Sequence, residues 1–445
     1  MLSTEENEYL TKIGPGTPTG SFMREYWLPA MISTELPTPD CDPVRVMMLG
    51  EQLIGFRDSQ GRPGLIANLC THRGASLFFG RNEESGIRCV YHGWKFDVDG
   101  NCVDMPNEPA ESNFKSRIKA QAYRVTEYGG LIWVYMGSRE VPPPLPGIEA
   151  AAYPEGEYRV SATLRDCNWL QALEGDIDTV HAAFLHGGQY KPEHFPEGTF
   201  NYYESSQRFA RFIAFDTEYG CLYGAGRPAG PGRVYWRVGQ FMFPIWTQPA
   251  PGLLGYKILT TCWVPLDDDH TLSYTISVPS KDSYNPKNPG PPPNQGGILP
   301  NTTDWFGRFR TVANLENDFL MDRDAQRKMF KYVGVQNVMA EDHAVQASMG
   351  PVLDRTIEHL GTSDLMILQV RRRLIEAVQE WSDHKTPPPA LDSPDLYGLR
   401  CGGVFLPEGQ DLMDGVKDLI KPFVDHPEID PAIVGGVKYL DLSKR

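Results

Sequence analysis

Apolar and polar positions alternate along the first third of the chain in a way that predicts strands. VRVMMLG and QLIGFRD, on either side of a Gly-Glu turn, read as a hairpin. GLIANL, IRCVYH, WKFDVDGNCVD and GLIWVYMG continue the pattern between Gly and Asp turns, over about Tyr26 to Gly137. The run VPPPLPG at 141–147 interrupts it, and so much proline suits a domain boundary. Beyond that break the period changes. Leu170, Leu173, Ile177, Val180 and Phe184 recur at i, i+3, i+7, i+10 and i+14, which predicts one amphipathic helix over RDCNWLQALEGDIDTVHAAFLH. Strand texture returns over 199–279, in YYESSQRFARFIAFD, GRVYWRVGQFMFPIWT, YKILTTCWVPL and HTLSYTISVPS. Segment 280–301 is rich in Pro, Gly and Asn and reads as a long loop, of the kind used as a lid, an interface arm or a disordered segment. From Asp304 to about Trp381 the pattern is helical, ending in DLMILQVRRRLIEAVQEW. No internal repeat is visible. The fold class expected is α+β, with a small all-β domain followed by a larger domain of antiparallel sheet and helices.

At 445 residues the chain is too long for one ordinary core. With 41% hydrophobic and 22% charged residues it is globular rather than disordered. The net charge of −15 argues against nucleic-acid binding, which needs clustered Lys and Arg, and any anionic substrate must be met by local positive charge. No stretch reaches the roughly 20 apolar residues of a membrane span. The start, MLSTEENEYLTKIG, lacks the basic and apolar regions of a signal peptide, so a cytoplasmic protein is expected. Eight cysteines in this length are not a disulfide framework. Cys41, Cys167, Cys221, Cys262 and Cys401 are isolated and expected to be small buried hydrophobes.

Cys70 and Cys89 differ from these, because each stands beside a histidine. NLCTHRGASLFFGRNEESGIRCVYHGWKFD contains Cys70-x-His72, sixteen residues, then Cys89-x-x-His92. A two-sulfur, two-nitrogen donor set suits zinc or a two-iron cluster. Zinc fingers usually group their cysteines together and their histidines together. Here each half supplies one of each, as a [2Fe–2S] cluster requires when one iron takes both thiolates and the other both imidazoles. The motif, followed by Gly-Trp, resembles the N-terminal domain of Rieske non-haem iron oxygenases. Respiratory Rieske proteins carry a second cysteine in each loop, where this chain has Ala75 and Tyr91. The resemblance implies a Rieske domain over 26–141, after an N-terminal segment 1–25. A Pro-rich linker over 142–150 and a helix-grip-like catalytic domain over 151–445 would follow.

Glu174, Asp178 and His181 fall at i, i+4 and i+7 beside the apolar stripe of the predicted helix. His186, five residues after His181, would point about 140° away on a straight helix. Both reach one metal only if the helix breaks between them, and Gly187–Gly188 offer a stop. Asp-x-x-His-x₄-His resembles the catalytic motif of the same oxygenases. It implies an iron(II) in a two-His-one-carboxylate triad, with His181 and His186 as ligands. The third ligand implied is Asp342, in MAEDHAVQASMGPVLDRTIEHLGTSD, with Asp318, Asp322 and Asp324 as competitors. Ala347 stands where the related branch has a Glu. The family also gives Asp178 a separate role, as a hydrogen-bonded bridge between the partner subunit's His92 and His181 in a head-to-tail trimer.

PGTPTGSFMREYWLPA, NWLQALEGDIDTVH and MGPVLDRTIEHLGTSD resemble the phthalate dioxygenase branch. That likeness implies α subunits alone, as a homotrimer or stacked trimers, and electrons from NAD(P)H through a separate flavin/[2Fe–2S] reductase. O₂ would be the co-substrate and an aromatic carboxylate, such as a phthalate or benzoate derivative, the substrate, with dihydroxylation as the reaction. A carboxylate calls for a bidentate arginine, and Arg208, Arg227 and Arg237 lie in the strand region. FMFPIWTQP and NYYESSQRF offer aromatic walls or ordinary core. Three other readings stay open: a monooxygenase that demethylates a methoxylated aromatic acid, a Rieske electron carrier without catalytic iron, and a zinc-stabilised interaction protein.

Overall fold

The computed structural model describes residues 1–421 apart from 110, 189–190, 198–199, 251, 255–256, 279–296, 329–331 and 336. Most of the loop expected at 280–301 therefore lies outside the described residues.

Two short helices open the chain, α1 (Thr4–Thr11) and α2 (Pro18–Arg24). Ser3 and Glu6 form a capping box on the first, and Thr17 caps the second ahead of a proline at its first turn. Then come β1 (Trp27–Ile32), β2 (Val44–Met48), β3 (Glu51–Arg57), β4 (Pro63–Ala67), β5 (Arg81–Glu83), β6 (Gly86–Arg88), β7 (Lys95–Phe96), β8 (Cys102–Asp104), β9 (Ala122–Tyr128) and β10 (Leu131–Tyr135). They form one antiparallel sheet ordered β1-β10-β9-β4-β3-β2 and a small one ordered β5-β6-β7-β8. The β2–β3 turn is Leu49–Gly50 rather than Gly-Glu, with both residues at positive φ. A leucine there is strained, and the strain is offset by burial. Leu49 is fully buried although Gly50 beside it is exposed, and the two amides donate to Pro265 O and Leu266 O at 2.9 and 2.8 Å.

The larger part begins with β11 (Arg159–Arg165), α3 (Trp169–Ile177) and α4 (Phe200–Ser206). It continues through β12 (Arg211–Asp216), β13 (Gly220–Pro228), β14 (Arg233–Met242), β15 (Trp246–Gln248), β16 (Ile258–Pro265) and β17 (Thr271–Val278). Helices α5 (Arg323–Arg327), α6 (Val338–Ser348) and α7 (Leu365–His384) follow, then β18 (Gly402–Pro407) and α8 (Leu412–Val416). The sheet runs β11-β17-β16-β15-β14-β13-β12, with β18 beside β14. This is the expected α+β fold, an all-β lobe and a sheet-and-helix domain.

One apolar core joins the large sheet to the first sheet and to α1 and α2, through residues such as Leu10, Phe22, Trp133 and Trp246. A separate small core (Ile54, Phe56, Leu77, Ile87, Trp94, Phe96) supports the lobe bearing Cys70 and Cys89. The first 25 residues thus pack against the sheet-and-helix domain: Trp169 Nε1 donates to Leu10 O and Asn168 Nδ2 to Thr11 O. Nor is 142–150 a solvated linker. Ile148 and Ala150 join the core, and buried Glu149 pairs with Arg400 at 2.6 Å.

Three expected elements are corrected. The helix predicted through His186 ends at Ile177, because Asp178 leaves the helical region and its Oδ1 accepts from Val180 N at 2.8 Å. Residues 200–206 are helical rather than extended, with Tyr203 stacked on Tyr235, a tertiary contact that strand propensity does not see. From Asp304 to Asp322 the chain is irregular or 3-10 rather than α-helical, with Asp318 and Phe319 in left-handed backbone and Phe319 buried against His343, whereas the helical end of the prediction is α7. Of the isolated cysteines, Cys167, Cys221, Cys262 and Cys401 are buried and free, whereas Cys41 is only half-buried.

α3 is anchored by its buried Glu174. Its two oxygens accept from Arg371 Nε at 2.6 Å and Arg355 Nη2 at 2.9 Å. Glu174→Ala leaves two buried guanidinium groups facing each other and is expected to cost about 3–5 kcal/mol, read as a lower denaturant midpoint. Glu174→Gln, which keeps the shape, should cost less.

Candidate metal centres

The first centre sits on two loops closed in the same way. Cys70 N donates to Ala75 O and Cys89 N to Trp94 O, while Gly74 N and Gly93 N donate back to Cys70 O and Cys89 O. Both glycines take positive φ, which lets each loop turn back within four residues of its cysteine. The thiols of Cys70 and Cys89 are buried; the rings of His72 and His92 lie nearer the surface with centroids 4.5 Å apart. His72 stacks on Trp94 at 4.4 Å. Burial, opposed by amides of His72 and Arg73 and reinforced by Cys89, pushes the Cys70 thiol up to about 11. Two thiols crowded in an apolar pocket and a buried His72 Nδ1 with no hydrogen-bond partner are donors without an acceptor. A two-iron cluster fits them. Around these loops Leu69, Phe79, Val90 and Tyr91 are exposed, an apolar rim at the imidazole end.

The second centre follows α3. After the Asp178 turn, a short 3-10 turn (His181–Ala183) carries the first histidine, and bonds from Leu185 N to His181 O and Gly187 N to Ala182 O carry the chain round to His186. The break that brings the histidines together is therefore the tight turn itself, starting upstream of His181, rather than a stop at Gly187–Gly188. Asp342 comes from α6, whose start is capped by the Asn337 side chain. His181 Nε2, His186 Nε2 and Asp342 Oδ1 are separated by 3.2, 3.4 and 3.1 Å. Ligands at right angles about 2.1 Å from one ion lie about 3.0 Å apart, so these three atoms suit one face of an octahedron. Among the described residues no other trio of His, Cys, Asp and Glu converges in this way. Asp318, Asp322 and Asp324 are exposed and elsewhere.

The electrostatics favour a cation at that point. Burial disfavours a proton on His181, yet Asp178 and Asp342 outweigh it and raise its pKa to about 10. His186 is raised against its burial by Asp342 and Glu341. Burial would raise the Asp342 pKa, but the two histidines hold it far below the ordinary carboxylate range. Each imidazole also has a carboxylate behind it: Asp178 Oδ2 lies 3.7 Å from His181 Nδ1, and Glu341 Oε2 accepts from His186 Nδ1 at 2.7 Å. The Glu341 bond fixes the His186 tautomer and aims its Nε2 toward the other two donors, while Asp178 acts on His181 through its charge. Glu341→Gln is expected to weaken iron retention about 10- to 100-fold in a chelator titration, with the cluster spectrum unchanged.

The donors open on a cavity of about 420 Å³. Its floor is one face of the sheet, where alternate residues point inward: Ser161, Thr163 and Arg165 on β11, Thr261 and Trp263 on β16, and Thr275 on β17. Of the three arginines expected from sequence, only Arg237 reaches the cavity, and it is held by Glu204 at 2.7 Å and by Ala250 O and Thr179 O. Arg208 stacks on Phe184 and donates to Gly188 O, and buried Arg227 is bound to Gln207 O with Glu204 3.4 Å away. Neither lines the cavity, because local carbonyls and Glu204 hold them elsewhere. Sequence reasoning missed Arg165, Lys257, Asp176 and Glu341. Asp176 is enclosed beside the cavity, bonded by the Thr247 hydroxyl, and burial raises its pKa to about 6. The one sequence signal for Arg165 is the polar alternation Ser161, Thr163, Arg165 opposite an apolar face.

Residues 26–124 match the family described as Rieske [2Fe-2S] domain, and residues 134–391 that described as LigXa C-terminal domain like. The chain belongs to the Rieske oxygenases. This oxygenase subunit is 40% identical over 417 residues to the 3-chlorobenzoate-3,4-dioxygenase oxygenase subunit of Comamonas testosteroni, covering 91% of this chain and 95% of that one. It is 35% identical to the phthalate 4,5-dioxygenase oxygenase subunit of Pseudomonas putida, over 85% of this chain and 86% of the other. Its fold is similar to that of dicamba monooxygenase bound to dicamba, with a TM-score of 0.56 at 16% identity, over 81% and 99% of the chains. The cofactors of the Rieske oxygenase are thus a [2Fe–2S] cluster and a mononuclear iron, with O₂ as co-substrate and electrons from a separate redox partner. No helix among the described residues is long and apolar enough to cross a membrane.

Proposed function

We propose that this Rieske oxygenase dihydroxylates an aromatic carboxylate of the benzoate or phthalate class. The observation that carries the reading is the convergence of His181, His186 and Asp342 on a cavity whose volume suits one substituted ring. Likeness to oxygenase subunits of 3-chlorobenzoate and phthalate dioxygenases supports the acid. Cys70 and Cys89 hold one iron of the cluster and His72 and His92 the other, while His181, His186 and Asp342 hold the mononuclear iron. When bound, the cluster supplies single electrons and the iron supplies the open coordination face for O₂.

The chain's own residues do the rest. Glu341 and Asp178 orient the two imidazoles, and Leu259, Trp263 and Met339 offer apolar contact to a ring. The rim of Leu69, Phe79, Val90 and Tyr91 is the surface on which the cluster lobe meets the partner subunit in a head-to-tail trimer. The separate redox partner is a flavin/[2Fe–2S] reductase fed by NAD(P)H. The test is turnover with such a reductase on 3-chlorobenzoate, phthalate and methoxybenzoates, with products identified by mass. Dihydroxylation adds two oxygens and two hydrogens to the ring and consumes one O₂, two electrons and two protons. Formaldehyde from the methoxy acids, with no diol from any acid, would overturn the dihydroxylation reading.

A further inference from the structure

Among the described residues, buried arginines follow a rule with one exception. Arg227 and Arg237 share Glu204, Arg308 sits on Glu35, Arg355 and Arg371 on Glu174, and Arg400 on Glu149. Arg165 is as deeply buried, at 1% exposure, and pairs with no carboxylate among the described residues. Its Nη1 donates to Met339 O at 3.0 Å, its guanidinium lies 5.8 Å from the centre of the Trp263 ring, and its Nε is buried without a partner. Burial lowers its pKa against the pull of more distant Asp342 and Asp176, which are engaged by the histidines and by Thr247. A buried cation of this kind is stable only with an anion, and Arg165 lines the cavity. Its anchor, Met339, lies one helical turn before Asp342 on α6.

We propose that Arg165 receives the substrate's carboxylate. This rests on the aromatic-acid reading above and assigns its recognition to one residue. A guanidinium with one donor spent on Met339 O keeps a fork free for bidentate contact. The acid group is then held within a helical turn of the iron donors, with its ring against Trp263 and Met339. Half-buried Lys257, the other cavity cation without an ion pair among the described residues, lies eight residues before Pro265, the β16 residue in register with Arg165 through Thr271, and serves as the internal control.

The experiment is anaerobic calorimetry on the metal-loaded protein with 3-chlorobenzoate and its neutral counterpart 3-chlorobenzamide. R165M is expected to bind the acid at least about 30-fold more weakly and the amide within about threefold of wild type. R165K should regain part of the acid binding, and K257M should bind both probes like wild type. Iron content and melting midpoint verify that each variant is folded. If R165M folds poorly, the acid-to-amide ratio in R165K carries the test, since a lysine keeps the charge and loses the fork. Acid binding that survives R165M, or that falls in K257M instead, overturns the inference alone. Wild-type protein that binds neither the acid nor phthalate overturns the aromatic-acid reading and the inference with it.

Discussion

His181→Ala is expected to leave about two irons per chain where the wild-type oxygenase holds about three, with turnover below about a thousandth and the visible spectrum of the cluster unchanged. A facial site has three protein bonds, and His181 supplies one from a turn held by bonds to its own carbonyl oxygen. Removing the ring leaves His186 and Asp342 only 3.1 Å apart, a pair that cannot by itself fix three positions on an ion. The cluster should be indifferent, because Cys70, His72, Cys89 and His92 rest on the separate small core around Phe56, Leu77 and Phe96. Iron analysis, the visible spectrum and oxygen uptake check the three parts. Iron content and turnover that both survive would show that the three donors are not the iron site. A spectrum lost together with the iron would show that the two lobes do not load independently. The variant also separates an oxygenase from an electron carrier, since a carrier would lose neither iron nor activity.

The cluster loops were legible in the sequence because local rules close them. Each needs a cysteine, a histidine and a glycine at positive φ within five residues, and all three are written side by side. Strands in the all-β lobe were legible for the same reason, as alternation and turn residues are local. The mononuclear site was half legible. His181 and His186 could be named, but the periodicity of Leu170, Leu173 and Ile177 carried the helix too far. Periodicity records apolar burial, and it does not record that Asp178 bonds its own turn and ends the helix.

Arg208, Arg227 and Arg237 show a second limit. A sequence shows which arginines exist and not which carboxylate each will find in the fold. Glu204 draws Arg227 and Arg237, and the face of Phe184 draws Arg208. Among the described residues Arg165 is left without a carboxylate, a fact that exists only once every other pairing is made. The helix over 200–206 was missed likewise, since the stacking of Tyr203 on Tyr235 joins residues far apart in the chain.

Asp178→Asn tests the step between the two centres. Asp178 caps the end of α3, with one oxygen accepting from Val180 N and the other 3.7 Å from His181 Nδ1. Burial would raise its pKa, but the contact with His181 holds it below the ordinary value, so the group is a carboxylate at neutral pH. Its side chain is 27% exposed, which leaves room for a second donor from outside the chain. In the proposed trimer that donor is the partner subunit's His92, which places Asp178 between the two imidazoles. An amide can still accept from Val180 N, so the turn, the iron donors and the iron should all stay. What it cannot do is accept from two imidazole N–H groups, because one of its positions is now a donor. Turnover is expected to fall about 100-fold or more, and reoxidation of the reduced cluster in single-turnover experiments should slow by the same factor, with both metal contents normal. Equal slowing in both measurements is what a broken link predicts. Iron loss would instead make Asp178 a support for His181 alone, and normal turnover would remove it from the electron path altogether.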